Sequence, residues 1–133
     1  MIKEIRISTK AKYDIVDIQK QVEDIVRESK VKNGLCNVFV AHATAAVIIN
    51  ENYDPNVCDD ILDAMAQIIR EGRWRHDNVD NNGASHIKSA IIGPSQTIPV
   101  IDGKLALGRW QSIMVADFDG PREGRTVYVT ILK

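Results

Sequence analysis

At 133 residues, with 44% hydrophobic and 26% charged side chains, the chain has the size and balance of one globular domain. A formal net charge of −1 excludes the basic footprint that sequence-independent nucleic-acid binding requires. No apolar run approaches the roughly 20 residues of a membrane-spanning helix. The opening Met1-Ile2-Lys3-Glu4-Ile5-Arg6 alternates charge with isoleucine and does not read as an export leader. The expected partners therefore include neither nucleic acid nor membrane, and the expected compartment is cytoplasmic. Cys36 and Cys58 are far apart and form no CxxC pair, so they read as two buried, reduced thiols.

Residues 2–8 predict a strand with partial alternation. Residues 14–30 predict a helix, because Ile15, Ile18, Val22, Ile25 and Val26 recur at helical spacing behind Asp14 as N-cap. Asn33-Gly34 stops it, the glycine being suited to a left-handed cap. Residues 35–41 predict the next strand. His42-Ala43-Thr44-Ala45 interrupts it, and residues 46–49 resume an apolar strand that Asn50-Glu51-Asn52 closes. Asp54-Pro55 starts a second helix with an acid at the N-cap and a proline at its first position. Val57, Ile61, Met65 and Ile68 form its apolar stripe, and Glu71-Gly72 stops it. A polar loop over 73–83 leads to a short helix over 84–92, which ends at Gly93-Pro94. Residues 97–101 and 104–107 flank Asp102-Gly103, the strongest two-residue hairpin signal. Residues 110–118 and 126–132 predict the last strands, with Asp119-Gly120-Pro121-Arg122 turning between them. The chain has no repeat and no linker. The pattern predicts a compact single α+β domain over 1–133, with a mixed, largely antiparallel sheet, two long helices and a short one. The hairpin directly after the short helix argues against a doubly wound sheet.

All three histidines, His42, His76 and His86, lie in polar sequence that punctuates apolar segments. Neutral imidazole is the commonest metal ligand, and three of them suffice for an open catalytic site with water in the fourth position. His76 and His86 do not have the i, i+4 spacing of a zincin helix. A loop folds back easily, however, and His42 can join from the end of another strand. The alternative is three unrelated surface or core histidines. Asp80 reads as a fourth ligand, as an orienting partner for an imidazole, as a general base, or as part of a solvated turn. Glu51 reads as a general base or as a loop acid ahead of the second helix. Thr44 and Ser85 put hydroxyls beside His42 and His86, and Ser85 lies near a predicted helix N-terminus, where free amides favour anions. Arg109, Arg122 and Arg125 are able to grip phosphate in bidentate fashion, and Arg122 is the best placed because its Gly-Pro neighbours fix it in a turn. Trp74 and Trp110 read either as stacking surfaces for a flat heterocycle or as core and interface aromatics. Gly93-Pro94-Ser95 lacks the lysine of a Walker motif, no GxSxG elbow is present, and neither cysteine has a local catalytic signature.

Read together, these blocks resemble the YjbQ-like family, whose members are described as secondary thiamine-phosphate synthases. The resemblance runs through His42-Ala43-Thr44-Ala45-Ala46 and Ile49-Asn50-Glu51, then His76, Asp80 and Asn82, then His86-Ile87-Lys88-Ser89. It continues in Gly93-Pro94-Ser95, Ile98-Pro99-Val100, Gly103-Lys104-Leu105, Leu107-Gly108-Arg109-Trp110-Gln111 and Asp119-Gly120-Pro121-Arg122. Two positions depart from the family pattern. Ala43 stands where threonine is usual, which removes a hydroxyl, and Arg109 stands where threonine is frequent, which adds a charge.

The resemblance implies a compact α+β fold assembled as a homotrimer, with a divalent metal, zinc in particular, at His42, His76 and His86. The implied activity joins a pyrimidine pyrophosphate to a thiazole phosphate, a small phosphorylated heterocyclic substrate. Thr44, Ser85 and Arg122 would hold phosphate oxygens, Trp110 would stack on the substrate and Gln111 would hydrogen-bond it. Asp80, with Glu51 as the other acid, would orient a ligand or take a proton. The rival expectations are a metal-dependent phosphoester hydrolase using the same residues, and a non-catalytic trimeric metal- or metabolite-binding protein.

Overall fold

The computed structural model describes all 133 residues, and its β-strands form two separate sheets. The elements in chain order are β1 (Ile2–Ile7), β2 (Asp14–Asp17), α1 (Gln19–Ser29), β3 (Gly34–Val40), β4 (Ala45–Asn50), α2 (Pro55–Ile68), α3 (Asp77–Asp80), α4 (Gly83–Ile92), β5 (Ser95–Ile101), β6 (Lys104–Leu105), β7 (Ser112–Asp117) and β8 (Arg125–Leu132). The larger sheet has the order β1-β8-β3-β5-β6 and the smaller β2-β7-β4. Every strand pair is antiparallel. The α+β class holds, and the single mixed sheet of the sequence reading resolves into two antiparallel ones.

The smaller sheet is the middle layer. One of its faces meets the larger sheet and α1 in a core that includes Val22, Val26, Val38, Val47, Val100, Val115 and Val129. The other face, through Ala46, Ile48, Met114, Ala116 and Phe118, meets Cys58, Ile61 and Leu62 of α2 and Ile92 of α4. Burial on both faces explains why residues 45–48 and 113–116 are continuously apolar, whereas β8 in the larger sheet alternates between buried and exposed positions.

The helix expected over residues 14–30 divides. Its first four residues form β2, an edge strand paired with β7. Ile15 and Val16 are β-branched and fit a pleated surface. Asp14 does not cap a helix; its Oδ2 accepts the Lys10 N–H at 2.8 Å and shapes the preceding turn. The acid at the true helix start is Asp17, whose Oδ1 accepts the Gln19 N–H at 2.8 Å. Asp54 caps α2 as read, accepting from the Asn56 N–H at 3.0 Å, and Pro55 follows at the first position. Ile68, assigned to the apolar stripe of α2, is instead 75% exposed. The polar loop over 73–83 contains a helical turn, α3, so there are four helices. Asp102 and Gly103 both have positive φ, 51° and 77°, as the two-residue hairpin turn requires. The last strands begin at Ser112 and Arg125. Gln111 belongs to a turn in which the Gly108 N–H donates to Gln111 Oε1 at 2.7 Å and the Gln111 N–H to Gly108 O at 3.0 Å. Cys36 is buried, and burial pushes its thiol up to about 11. Cys58 is only half-buried, its thiol also raised by burial and by nearby acids. No helix is long and apolar enough to cross a membrane.

Candidate functional site

The register of the smaller sheet sorts the candidate residues into two groups. Ala45 pairs with Asp117 at one end and Asn50 with Ser112 at the other, a separation of roughly 17 Å at the usual rise of a strand. His42, Thr44, Ser85, Arg122, His86, His76 and Asp80 gather at the first end. Glu51, Trp110 and Gln111 lie at the second. The sequence reading placed all ten around one site; within one copy of the chain, the sheet keeps these three away from the histidines.

At the first end lies a buried polar network. Asp117 is 0% exposed and Arg125 5% exposed. Arg125 Nη2 donates to Asp117 Oδ1 at 2.6 Å and its Nε to Oδ2 at 3.1 Å, a two-pronged ion pair. Thr9 Oγ1 donates to Asp117 Oδ2 at 2.7 Å, and the Asp119 N–H to Oδ1 at 2.9 Å. Burial alone would raise the Asp117 carboxyl; the bonds from Arg125, the Asp119 N–H and Thr9 reverse that and hold it below the usual carboxylate range. Thr44 Oγ1 accepts from Arg125 Nη2 at 3.0 Å, so this hydroxyl serves the network and does not face a phosphate. Ser85 is likewise committed: it is 0% exposed and its Oγ donates to Phe118 O at 2.6 Å, which fastens α4 to the end of β7.

His42 stands where the β3–β8 ladder ends. Beyond Val40, the Ala41 N–H donates to Thr126 O at 3.0 Å, and the Thr126 N–H then donates to His42 Nε2 at 2.8 Å. The imidazole lone pair at Nε2 is thereby used, which leaves the ring proton on Nδ1. Burial, and then the Arg125 charge, lower the affinity of His42 for a second proton. The ring is neutral at physiological pH and is held in one tautomer.

His76 and His86 come together through a local device. The Asp77 carboxylate accepts the Trp74 N–H at 3.0 Å and the Gly83 N–H at 2.8 Å, bridging the start of α3 to the start of α4. Asn81 turns the chain between them with φ of 54°. Gly83 has no room for a side chain, because an added Cβ would stand 2.6 Å from Trp74 Cβ. The result is an edge-to-face contact of the His76 and His86 rings at 4.7 Å. Asp80 Oδ2 lies 3.4 Å from His76 Nε2. His86 also lines a cavity of about 380 Å³ with His42, Ala43, Ala45, Ser89, Ala90 and Pro94. Ala43 lines this cavity and brings no hydroxyl to its wall.

Three buried side-chain polar atoms in the whole chain lack a hydrogen-bond partner: His76 Nε2, Asn82 Oδ1 and Ser89 Oγ. All three belong to the α3–α4 segment. Buried polar groups are nearly always paired, so a water, an ion or a ligand is expected to complete such atoms. Arg122 is close by and half-exposed. Its Nε donates to Asp119 O at 3.0 Å and its Nη2 to Asp119 Oδ2 at 3.1 Å, while the Asn82 amide donates to the same Oδ2 at 2.8 Å.

Known proteins place this arrangement. The profile described as "UPF0047 protein YjbQ-like" matches residues 3–133. The chain belongs to the YjbQ-like UPF0047 family. Among its relatives, a UPF0047 protein of Methanocaldococcus jannaschii is 42% identical over 99% of this chain and 94% of its own length. YugU of Bacillus subtilis is 36% identical over 99% of each. A YbjQ-like protein of unknown function from Sulfolobus solfataricus P2 superposes with a TM-score of 0.96 at 38% identity, covering 98% of this chain and 95% of that one. A YjbQ/UPF0047 protein from Clostridium acetobutylicum gives 0.93 at 40%, covering 98% and 99%.

The metal expected in this YjbQ-like chain meets a donor set of suitable chemistry but uneven geometry. His76, with a buried and unpartnered Nε2, His86 beside it and the Asp80 carboxylate supply donor types that suit a divalent ion. His42 does not fit as a ligand through Nε2, which already accepts from Thr126. No three His, Cys, Asp or Glu side chains are grouped closely enough to hold a metal as they stand.

The residues the sequence reading missed are Asp117, Asn82, Asp119 and Lys88. Asp117 carried a signal: an acid inside the apolar run 113–118 has to be buried and paired. Lys88 carried a similar one, at the centre of a short apolar helix. It is 1% exposed, its Nζ donates to the Tyr13 hydroxyl at 3.0 Å, and that hydroxyl donates to Glu71.

Proposed function

We propose that the α3–α4 segment and His42 form the site of a metal-assisted enzyme acting on a phosphorylated heterocycle, as a thiamine-phosphate-synthase-like transferase. The observation that carries this reading is that all three unpartnered buried polar atoms belong to the α3–α4 segment, one of them, Ser89 Oγ, in a residue lining the same cavity as His42 and His86. His76, His86 and Asp80 would hold the divalent ion, zinc in particular, which would supply charge for a departing pyrophosphate. His42, neutral with its proton at Nδ1, donates to a phosphoryl oxygen. The Arg125 and Arg122 charges favour an anion in front of His42. Ser89 Oγ, unpartnered in the cavity wall, offers a second donor, and Asn82 Oδ1 accepts from a substrate N–H.

In the transfer, the thiazole ring nitrogen supplies the electron pair for the new C–N bond. The C–O bond to pyrophosphate breaks, and the leaving group departs with its electron pair. No protein nucleophile is needed, which agrees with a site built of donors. The homotrimer belongs to the same proposal. Val79 of α3 and Ile91 of α4 are 74% and 65% exposed, leaving apolar surface on the two helices that carry the histidines.

Hydrolysis is the second reading, favoured by the exposed carboxylate of Asp80 beside His76, placed to take a proton from water. The test supplies purified, zinc-loaded protein with a pyrimidine pyrophosphate and a thiazole phosphate, separately and together, and follows products by mass spectrometry. Transfer predicts a joined product that requires both substrates. Product from one substrate and water would establish hydrolysis, and saturable binding without turnover a binding module. Unchanged metal content in His86→Ala would remove the metal centre from the proposal.

A further inference from the structure

A second cavity, of about 500 Å³, lies between the C-terminal half of α1, the turn that follows it and the β5–β6 hairpin. No residue of the histidine site lines it. Its wall carries Arg27, Lys30, Lys32 and Lys104 against two acids, Glu23 and Asp102, in a chain whose net charge is −1. Arg27 pairs with Asp24 at 2.9 Å, whereas Lys30, Lys32 and Lys104 form no ion pair. The negative C-terminal end of α1 accounts for cations at Arg27 and Lys30. It does not account for Lys32 or Lys104, which lie beyond the helix.

The walls are fixed by backbone. Lys30 caps α1 in the left-handed conformation, with its N–H donating to Arg27 O at 3.2 Å. The hairpin tip is fastened to the turn, the Gly103 N–H donating to Lys32 O at 2.8 Å and the Asp102 N–H to Asn33 Oδ1 at 3.3 Å. Between the cations, Val26, Val31 and Leu105 form an apolar floor. The volume falls within the roughly 300–1,000 Å³ usual for small-molecule sites.

We propose that this groove binds a small organic polyphosphate, its phosphates paired with Lys30, Lys32 and Lys104 and its uncharged body resting on Val26, Val31 and Leu105. The cations of the wall outnumber its two acids, and Lys30, Lys32 and Lys104, each without an ion pair, offer separate contacts for more than one phosphate group, each of which carries at least one negative charge near neutrality. A phosphate chain supplies a phosphate for each of these three ammonium groups. This inference does not depend on the reaction proposed for the histidines.

The test is calorimetric titration of the full chain with ATP, inorganic tripolyphosphate and adenosine at physiological ionic strength. ATP and tripolyphosphate bind saturably, ATP more tightly, and adenosine alone does not. The double substitution Lys30→Glu with Lys104→Glu weakens ATP binding by about tenfold or more, with an unchanged circular dichroism spectrum. Lys32→Gln, at an exposed turn position, weakens it by about threefold and serves if the double variant does not fold. His86→Ala binds ATP like the parent chain. Absence of saturable binding, an unchanged affinity in the lysine variants, or loss of binding in His86→Ala would each overturn the proposal.

Discussion

The two ends of the smaller sheet use polar residues in opposite ways. At the Asp117 end, charged and hydroxyl groups are withdrawn from water and bonded to one another across β7, β8 and the segments that follow β1 and precede β4. At the Ser112 end, none of the polar side chains is fully buried, and several bonds are local: Gln111 closes the 108–111 turn, and the Glu51 N–H donates to its neighbour Asn50. Tyr53 and Trp110 contact each other there, 82% and 50% exposed. Burying charge is costly, so a buried network has to be complete. The same requirement makes an incomplete buried group informative, and the only incomplete ones lie on the α3–α4 segment beside that network. An exposed end has no such requirement, and its residues can look functional in sequence without being held toward anything.

Removing one partner of the buried pair tests this contrast most strongly. Asp117→Ala leaves Arg125 buried without a counter-charge, and we expect a loss of about 3–5 kcal/mol in urea unfolding. Combining Asp117→Leu with Arg125→Met recovers much of that loss, because the uncompensated charge is then gone. Glu51→Ala at the other end stays within about 0.5 kcal/mol of the parent chain. Comparable losses at the two ends would break the contrast.

Acid titration reads the same pair without mutation. The folded Asp117 carboxyl titrates below its unfolded value of about 3.9, so its contribution is complete above that value. As pH falls below it, the unfolded chain takes up the proton first, and stability is lost until the folded pKa is passed. Stability measured from pH 6 down to pH 2 therefore falls more steeply for the parent chain than for Asp117→Asn.

Gly83→Ala probes the hinge between the network and the histidines. Its new Cβ would press on Trp74 Cβ and on Asp77 Oδ1, 2.9 Å away, disturbing the carboxylate that joins α3 to α4. Overpacking of this kind costs about 1–3 kcal/mol. The diagnostic sign is a change in the ring resonances of both His76 and His86, seen by NMR. Ser85→Ala is milder, about 1–2 kcal/mol, because it strips a donor from the buried Phe118 carbonyl.

Much of the architecture was legible because local chemistry and tertiary environment agree along most of the chain. The Asp54-Pro55 helix start, the Asp102-Gly103 hairpin and the apolar strands all follow local rules. Residues 14–17 did not, because Ile15 and Ile18 continue the helical spacing of Val22, Ile25 and Val26, and only pairing with β7 decides for a strand. At the candidate site, residue type singled out the histidines and Asp80, which the fold brings to one end of the smaller sheet, but not the commitments of the hydroxyls. Thr44 and Ser85 each sit next to a histidine in sequence, yet their partners, Arg125 and Phe118, are 81 and 33 residues away. Asp117 was passed over although an acid inside a buried run is itself a signal of pairing.

The smallest expected effect sharpens the comparison most. Trp110 packs against Tyr53 and under the Arg109 guanidinium, whose carbon lies 4.9 Å from the ring centre. These contacts are open to solvent, so Trp110→Ala costs less than about 1 kcal/mol. Within one copy of the chain, Trp110 is separated from the histidines by the length of β7, so zinc and phosphate-ligand affinities measured on monomeric protein stay unchanged. Assembly as the proposed homotrimer would change that expectation, because a neighbouring copy would then be able to bring its exposed end to the histidine site of the first. Analytical ultracentrifugation paired with ligand titration distinguishes the two. If Trp110→Ala weakens ligand binding only at concentrations where the chains associate, the aromatic end completes the site of another subunit. If affinity is unaffected in the assembled state as well, Trp110 and Gln111 serve their own turn and nothing more.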